Sequence, residues 1–197
     1  MRSNPYKRPD RFTQEAKKAG YPARSVFKLM DIDRRVRLFA PGMHVLDLGA
    51  APGSWARYIA DKIGGKGRLV AVDLKPLETA LPANSTFVLG DALSLDPQGA
   101  IAEYAPYNVV VSDMAPNTTG NRDGDQARST ELFLRALGVA LLLLAPGGAF
   151  VGKIFMGEDF PAAREQVRVK FAKHRLIRPE GTRANSYEIF VIGEGKK

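Results

Sequence analysis

The chain has 197 residues, enough to bury the core of one domain, and we predict a single domain over residues 1–197. It contains no cysteine and only two histidines, which excludes disulfides, thiolate nucleophiles and structural zinc sites. The formal charge of +8 indicates a polyanionic partner. The longest apolar run, 136–145, is too short to cross a bilayer and the N-terminus lacks an apolar signal segment, so we expect a cytoplasmic protein without a membrane partner.

The positive charge is concentrated in two segments of the chain. Residues 1–40 carry 11 Lys or Arg against 4 Asp or Glu, and residues 164–183 carry 7 against 2. Residues 41–163 carry 9 against 13, so the middle of the chain is acidic. We predict that the two basic segments grip a polyanion, because each neutralised phosphate adds salt-dependent affinity. The alternative is that the basic helices are only a solvated surface.

The first forty residues predict a basic arm followed by two helices. A short helix is expected at 10–19, and apolar residues at helical spacing predict a longer one over 25–39. Pro41 and Gly42 end it. Lys28 lies inside this helix, where a lysine can reach water by its long stem and has no assigned role on sequence grounds alone.

The stretch His44 to Trp55 predicts a strand at 44–48, a glycine turn and a helix at 54–63. Gly49 and Gly53 let a ligand approach the backbone at the start of that helix. The next strand, 68–72, ends at Asp73, about 20 residues after the turn, where a carboxylate can accept hydrogen bonds from a ribose. Because the turn lacks a dinucleotide spacing and contains Pro52, we predict an S-adenosylmethionine site. An ordinary strand-to-helix turn is the alternative.

Strands and helices alternate through the rest of the chain. This α/β pattern predicts a Rossmann-like, seven-stranded, mostly parallel sheet with helices on both faces. No helix is predicted between the last two strands, and the link after the first of them contains Pro179 to Gly181, which predicts a closing hairpin and one antiparallel strand. The remaining strands are expected at 86–89, 108–112, 148–155, 174–178 and 186–192, and the remaining helices near 97–103 and at 125–145 and 160–172.

Ligands of such sheets lie beyond the carboxyl ends of the strands. The residues at those ends are Gly49, Asp73, Asp91, Asp113 and Lys153, and we expect them to converge on one rim. The acidic run 123–125 has no further ligands in its sequence neighbourhood, so we predict a turn there and no metal site.

Five motifs in one order carry a resemblance to a known family. They are R-S-V-F-K-L, D-L-G-A-A-P-G-S-W, V-S-D-M-A-P-N, L-A-P-G-G-A-F-V-G-K-I-F and S-Y-E-I-F. Over residues 11–192 the chain closely resembles the FtsJ/RrmJ family of RNA ribose 2′-O-methyltransferases. The resemblance implies a class I S-adenosylmethionine-dependent fold and a bacterial-type activity on a uridine of 23S rRNA in the large ribosomal subunit. One departure is Ser54, where many members have glycine.

Site residues follow from the same resemblance. The implied catalytic residues are Lys28, Asp113, Lys153 and Glu188. The implied cofactor contacts are Gly53, Trp55, Asp73, Asp91 and Asp113. A lone tryptophan is also a common core residue, which is the alternative for Trp55. Lys153 is expected to take the proton of the ribose hydroxyl, with Lys28 stabilising the oxyanion.

Residues 1–40 are then expected to form a basic N-terminal RNA-binding extension of a monomeric enzyme. Ribose methylation of transfer RNA and a non-catalytic RNA-binding assembly factor stay open as alternatives. Methylation of a base amino group is disfavoured, because residues 113–117 read D-M-A-P-N instead of an Asn/Asp-Pro-Pro-aromatic motif.

Overall fold

We describe a computed structural model of the chain over residues 11–92, 94, 99–183 and 185–197. The predictions made for residues 1–10 and 95–98 lie outside these residues. The helices are α1 (Arg11–Lys18), α2 (Val26–Val36), α3 (Ser54–Ile63), α4 (Arg122–Leu143) and α5 (Phe160–Lys170). The strands are β1 (His44–Leu48), β2 (Arg68–Asp73), β3 (Ser85–Leu89), β4 (Tyr107–Ser112), β5 (Leu144–Phe155), β6 (Phe171–Ile177) and β7 (Glu188–Lys196). A short 3-10 helix, Ala100–Ala102, precedes β4.

The strands form one sheet in the order β3-β2-β1-β4-β5-β7-β6. Neighbouring strands from β3 to β5 are parallel, whereas β7 is antiparallel to both β5 and β6. The predicted seven-stranded, mostly parallel sheet with one antiparallel strand is therefore confirmed. The hairpin places β7 inside the sheet and leaves β6 at the edge.

Helices cover both faces of this sheet, as predicted, because alternate strand residues point to opposite sides. Val45 packs in a core cluster with residues of α2 and α3, and Leu46 packs in a second cluster with residues of α4 and α5. Both side chains are fully buried. Burying such a side chain contributes about 1.5–3 kcal/mol, so the pattern holds both helical layers on the sheet.

Helix α2 is part of the first layer. Val26, Leu29 and Ile32 are fully buried in the cluster on that face. The helix ends at Val36, three residues before the predicted end, because Arg37 adopts a left-handed conformation (φ +54°) and its N–H bonds to the carbonyl of Asp33. Residues 26–36 therefore stabilise the domain, whatever part they take in RNA binding.

Several other boundaries differ from the predictions by up to four residues, among them the starts of α4 and β5. Helix α4 begins at Arg122 instead of 125, because the Asn121 side chain accepts a hydrogen bond from the Gly124 N–H at 3.1 Å and caps the helix. The acidic run 123–125 therefore lies in the first turn of a helix, and the prediction of a separate turn was wrong. Strand β5 begins at Leu144, which pairs with Tyr107 before a register shift. In the described part of the chain, none of the helices is long and apolar enough to cross a membrane.

Candidate active site

The first of two ion pairs joins Asp113, which directly follows β4, to Lys153 in β5. Lys153 Nζ lies 2.9 Å from Asp113 Oδ1 and also donates a hydrogen bond to the main-chain oxygen of Asp113. The side chains are 7% and 17% exposed for Lys153 and Asp113, respectively. Sheet register brings them together, because Ser112 at the end of β4 pairs with Gly152.

The second ion pair joins Lys28 of α2 to Glu188, the first residue of β7, and both side chains are nearly buried. In the ladder between β5 and β7, Lys153 pairs with Phe190 and Phe155 pairs with Glu188. Glu188 is therefore the diagonal neighbour of Lys153 on the face that α2 covers. The fold thus brings all four predicted catalytic residues into one cluster.

These buried pairs are poorly explained by stability. Desolvation of two charges offsets most of their attraction, so an apolar pair would stabilise the fold equally well. Their composition suits a reaction in which a proton is removed and negative charge develops on oxygen.

A cavity of about 480 Å³ opens beside the first ion pair at the carboxyl ends of β1, β2 and β4. Three predicted cofactor residues border it, namely Asp73, Asp91 and Asp113. The Asp73 carboxylate is fixed by the backbone, since it accepts hydrogen bonds from the N–H groups of Ala51 at 2.8 Å and Lys75 at 2.9 Å. A carboxylate has about four acceptor positions, so Asp73 retains capacity for two ribose hydroxyls.

Gly49 and Gly53 of the turn allow the neighbouring loops to pack closely against it. Gly49 has φ +83°, and a Cβ there would lie 2.5 Å from Met114 Cγ. Gly53 has φ +109°, and a Cβ there would lie 2.7 Å from Thr79 Cγ2. Both positions therefore require glycine on conformational and steric grounds. Gly49 borders the cavity and Gly53 does not, so a cofactor contact by Gly53 stays a prediction.

The indole of Trp55 lies in the core. It is 3% exposed, packs on Phe190 with ring centroids 5.8 Å apart, and donates its Nε1–H to the carbonyl of Ser25 at 2.9 Å. Trp55 thereby ties the start of α2 to β7, the two elements that carry Lys28 and Glu188. Its predicted contact with the cofactor stays a prediction, because the indole does not border the cavity.

Asp47 in β1 belongs to this end of the sheet and was missed by the sequence reasoning. It is fully buried, and among the described residues neither of its carboxylate oxygens has a hydrogen-bond partner. Burial, reinforced by the charges of Asp113 and Asp73, raises the pKa of Asp47 well above its usual range. The signal in the sequence was a lone acid inside an apolar strand.

The carboxylates fit a cationic cofactor. The 480 Å³ cavity is bordered by three of them and by one lysine, Lys75. S-adenosylmethionine carries a sulfonium, an ammonium and a carboxylate group, so it has a net positive charge that this negative potential would stabilise. Its ribose matches the fixed carboxylate of Asp73. The residues present therefore fit this cofactor.

Replacing Asp47 with asparagine is expected to remove a pH-dependent loss of stability. Because the folded-state pKa is raised, the folded chain keeps a proton that the unfolded chain loses above about pH 4. The free energy of unfolding of the parent should therefore fall as the pH rises above that value. In thermal unfolding without cofactor, we expect the Asp47→Asn variant to exceed the parent in Tm by about 2–5 °C at pH 8 and by less at pH 5. Asp61→Asn, at an exposed position of α3, is the control, and parallel pH profiles for Asp47→Asn and the parent would contradict the expectation.

A second cavity, of about 340 Å³, lies over the Lys28–Glu188 pair. It is bordered by Arg24 from the first basic segment and Arg183 from the second. The segments are held together here, because Arg24 donates to the carbonyl of Gly181 at 3.1 Å and the Glu180 N–H donates to Asp31 at 3.0 Å. The predicted basic flanks therefore meet at this cavity, whereas α5 packs on the opposite face of the sheet.

Residues 113–121 form a loop that borders both cavities. Its first part, 113–117, lines the first cavity and Thr118 lines the second. Asp125 anchors the loop by accepting hydrogen bonds from the N–H groups of Thr119 at 3.0 Å and Gly120 at 3.3 Å, and it pairs with Arg128. The acidic run 123–125 thus has a structural role. A third depression, of about 500 Å³ and bordered by Arg68, lies at the amino ends of β2 and β3, away from the ion pairs.

Comparisons with known proteins give the family of the chain. The sequence model of the FtsJ-like methyltransferase family matches residues 21–196. The ribosomal RNA large subunit methyltransferase E of Sorangium cellulosum is 63% identical over 194 residues, which are 98% of this chain and 91% of that protein. The protein of the same name from Desulfatibacillum aliphaticivorans is 46% identical over 95% of this chain and 91% of its own length.

Solved structures share the fold at low sequence identity. A structure assigned as a ribosomal RNA methyltransferase of Plasmodium falciparum is 20% identical, with a TM-score of 0.79 over 89% of this chain and 98% of that one. Human methyltransferase-like protein 13, in complex with SAH, is 17% identical, with a TM-score of 0.58 over 85% of this chain and 81% of that one.

Proposed function

Because the chain belongs to the FtsJ-like methyltransferase family, we propose that it methylates a ribose 2′-hydroxyl of RNA, at a uridine of 23S rRNA in the large ribosomal subunit. The observation that carries this proposal is the position of the four-residue cluster between two cavities, one acidic and one bordered by arginines. The names of the curated relatives support the large ribosomal subunit as the source of the RNA.

The acidic cavity is the site for S-adenosylmethionine. Asp73 would hold the ribose hydroxyls, Asp91 the adenine amino group, and Asp113 would lie near the methyl to be transferred. The bound cofactor supplies an activated sulfonium methyl. The residues of the chain therefore have to align a hydroxyl with it and remove one proton.

Lys153, as the neutral amine, accepts that proton and becomes the ammonium that pairs with Asp113. Asp113 holds the Lys153 amine through its carboxylate and its main-chain oxygen, and Glu188 lies on the diagonal beside it. Lys28, positioned by Glu188, stabilises the negative charge that develops on the ribose oxygen. The low exposure of the cluster strengthens this electrostatic effect, because less water screens it.

The arginines at the second cavity contact the phosphates around the target nucleotide. Residues 21–40 contribute Arg24 to that contact and Lys28 to the reaction, and so belong to the RNA-binding segment proposed for residues 1–40. We further propose that the enzyme acts as a cytoplasmic monomer. Size-exclusion chromatography with light scattering tests the oligomeric state, and a monomer should have a mass near 21.5 kDa.

Methyl transfer from labelled cofactor to three substrates tests the function. The substrates are undermethylated large ribosomal subunits, deproteinised ribosomal RNA and bulk transfer RNA, and the product is assayed for alkali-resistant 2′-O-methyl linkages. Label confined to the large subunit or its RNA supports the proposal. Label in transfer RNA alone would support the proposed reaction but reject ribosomal RNA as its substrate. Alkali-labile products would show that the ribose hydroxyl is not the methyl acceptor.

Removing charge at the second cavity is expected to weaken RNA binding selectively. For Arg24→Gln and Arg183→Gln, we expect the affinity for RNA to fall and the slope of log K against log salt to decrease by about 1 for each phosphate that the variant no longer neutralises. Cofactor affinity should stay unchanged, because both arginines lie outside the acidic cavity. Arg68→Gln, at the amino end of β2 and outside both cavities, is the matched control. Equal losses of RNA and cofactor affinity would contradict a separate RNA surface.

A further inference from the structure

Tyr187 is the aromatic residue next to the reactive cluster on the RNA side. It directly precedes Glu188, and both border the second cavity together with Lys28 and Phe155. Its ring is only partly exposed, yet it lies outside both core clusters. The packing of the core does not explain why a half-buried tyrosine lies at this position.

Two contacts hold the ring in place, and one hydrogen bond holds its backbone. Phe155 packs against it in an edge-to-face arrangement, with centroids 5.0 Å apart and planes at 77°. The guanidinium carbon of Arg122 lies 5.4 Å from the Tyr187 ring centroid. The Tyr187 carbonyl accepts a hydrogen bond from the Met156 N–H at 2.9 Å. A ring fixed in this way can bind a flat ligand without a large loss of side-chain entropy.

The depth of the cluster determines how the nucleotide must enter. Lys28 and Glu188 are 12% and 11% exposed, and Lys153 is 7% exposed. A ribose hydroxyl can reach them only if the ribose itself enters the cavity, so its base must leave the neighbouring stack. An unstacked RNA base commonly regains that interaction on an aromatic side chain.

We propose that Tyr187 binds the target nucleotide by stacking with its base, with Arg122 and Phe155 fixing the ring. This inference rests on the proposed function and adds the site for the acceptor base. Stacking is tolerant of base identity, so Tyr187 contributes affinity for an unstacked nucleotide and little discrimination among bases.

Steady-state kinetics test the proposal, with undermethylated large subunits or deproteinised 23S rRNA as substrate, whichever the parent methylates. Because stacking of one base on an aromatic ring is worth about 1–3 kcal/mol, Tyr187→Leu should raise the KM for RNA roughly 5- to 150-fold. Both kcat at saturating RNA and the Kd for S-adenosylmethionine should stay within about threefold of the parent. Tyr187→Phe keeps the ring and should have a KM within about threefold of the parent.

Tyr104→Leu is the matched control. Tyr104 is also half-buried and packs edge-to-face on a neighbouring ring, that of His44, but it borders neither cavity. Its substitution should leave the KM for RNA unchanged.

An unchanged KM for Tyr187→Leu would overturn the proposal. A loss confined to kcat would also overturn it, because it would indicate displacement of Glu188. Equal rises in KM for the Leu and Phe variants would also overturn it, because the phenol hydroxyl would then be the binding group. A parent protein that methylates none of the RNAs would instead reject the proposed function before any variant is compared.

Discussion

Replacing Lys153 with methionine is expected to slow methyl transfer by about 10³-fold, within the 10²- to 10⁴-fold range of a lost general base. Methionine keeps the length of the side chain but has no amine to accept the proton. The rate should be measured in a single turnover at saturating cofactor and RNA, so that binding and product release do not mask it. Binding of both ligands should remain within a few-fold of the parent.

Arginine at the same position sharpens this test. A guanidinium keeps the positive charge but cannot lose a proton near neutral pH, so Lys153→Arg should be as inactive as Lys153→Met. Lys196→Met is the matched control, because Lys196 also lies in this sheet and donates to a main-chain oxygen, that of Leu144. Wild-type turnover by Lys153→Met, with both ligands bound normally, would reject Lys153 as the base.

Replacing Lys28 with methionine is expected to lower the single-turnover rate by about 10²- to 10³-fold, as does the loss of one group that stabilises an oxyanion. Here only the positive charge matters, so Lys28→Arg should retain far more activity than Lys28→Met. The two lysines are therefore distinguished by their arginine variants. If Lys28→Arg and Lys28→Met were equally inactive, the role of charge at this position would be refuted.

Glu188 gives a second test of the Lys28 role. Glu188→Gln leaves the ammonium of Lys28 in place but removes its ionic partner, so a loss of about tenfold is expected, smaller than that of Lys28→Met. Because the two side chains touch, the effect of the double variant should be smaller than the product of the two single effects. Independent effects would show that Glu188 does not act through Lys28. Thermal unfolding of each variant separates a folding defect from a loss of chemistry, since breaking a buried pair also destabilises the fold.

Central parts of the fold were predictable because their signals are local. The apolar run 44–48 and the glycine turn after it gave the observed bounds of β1 and α3. The start of β5 was not predictable in the same way. Leu144 lies in an apolar run that α4 and β5 share, so no residue there marks where the helix ends and the strand begins.

The candidate site was predictable in part. The rule that ligands bind beyond strand ends was enough to place Asp113 and Lys153 on one rim. Lys28 and Glu188 came from the family resemblance alone, because no local pattern tells which strand a helix will face. The family match over 21–196 confirms that resemblance, and the catalytic roles of the four residues stay predictions.

The surroundings of three other residues depend on tertiary contacts. Trp55 follows the glycine turn, and its cofactor contact stays a prediction; its indole packs on Phe190 of β7 and bonds to Ser25, which directly precedes α2. Asp47 could be recognised as important only once its neighbours in the sheet were known. Tyr187 acquires its position from Phe155 and Arg122, which lie 32 and 65 residues away in the sequence.

Strand β7 follows every other described element in the chain but lies inside the sheet, between β5 and β6. It also carries Glu188, the partner of Lys28 from the second helix. During synthesis, a nascent chain therefore has no complete reactive cluster until its last strand has been made and inserted between two earlier ones. Since such long-range pairing is slow to form, the chain gains its capacity to modify RNA as one of the final events of folding. Fragments produced by interrupted translation before β7 would lack that capacity.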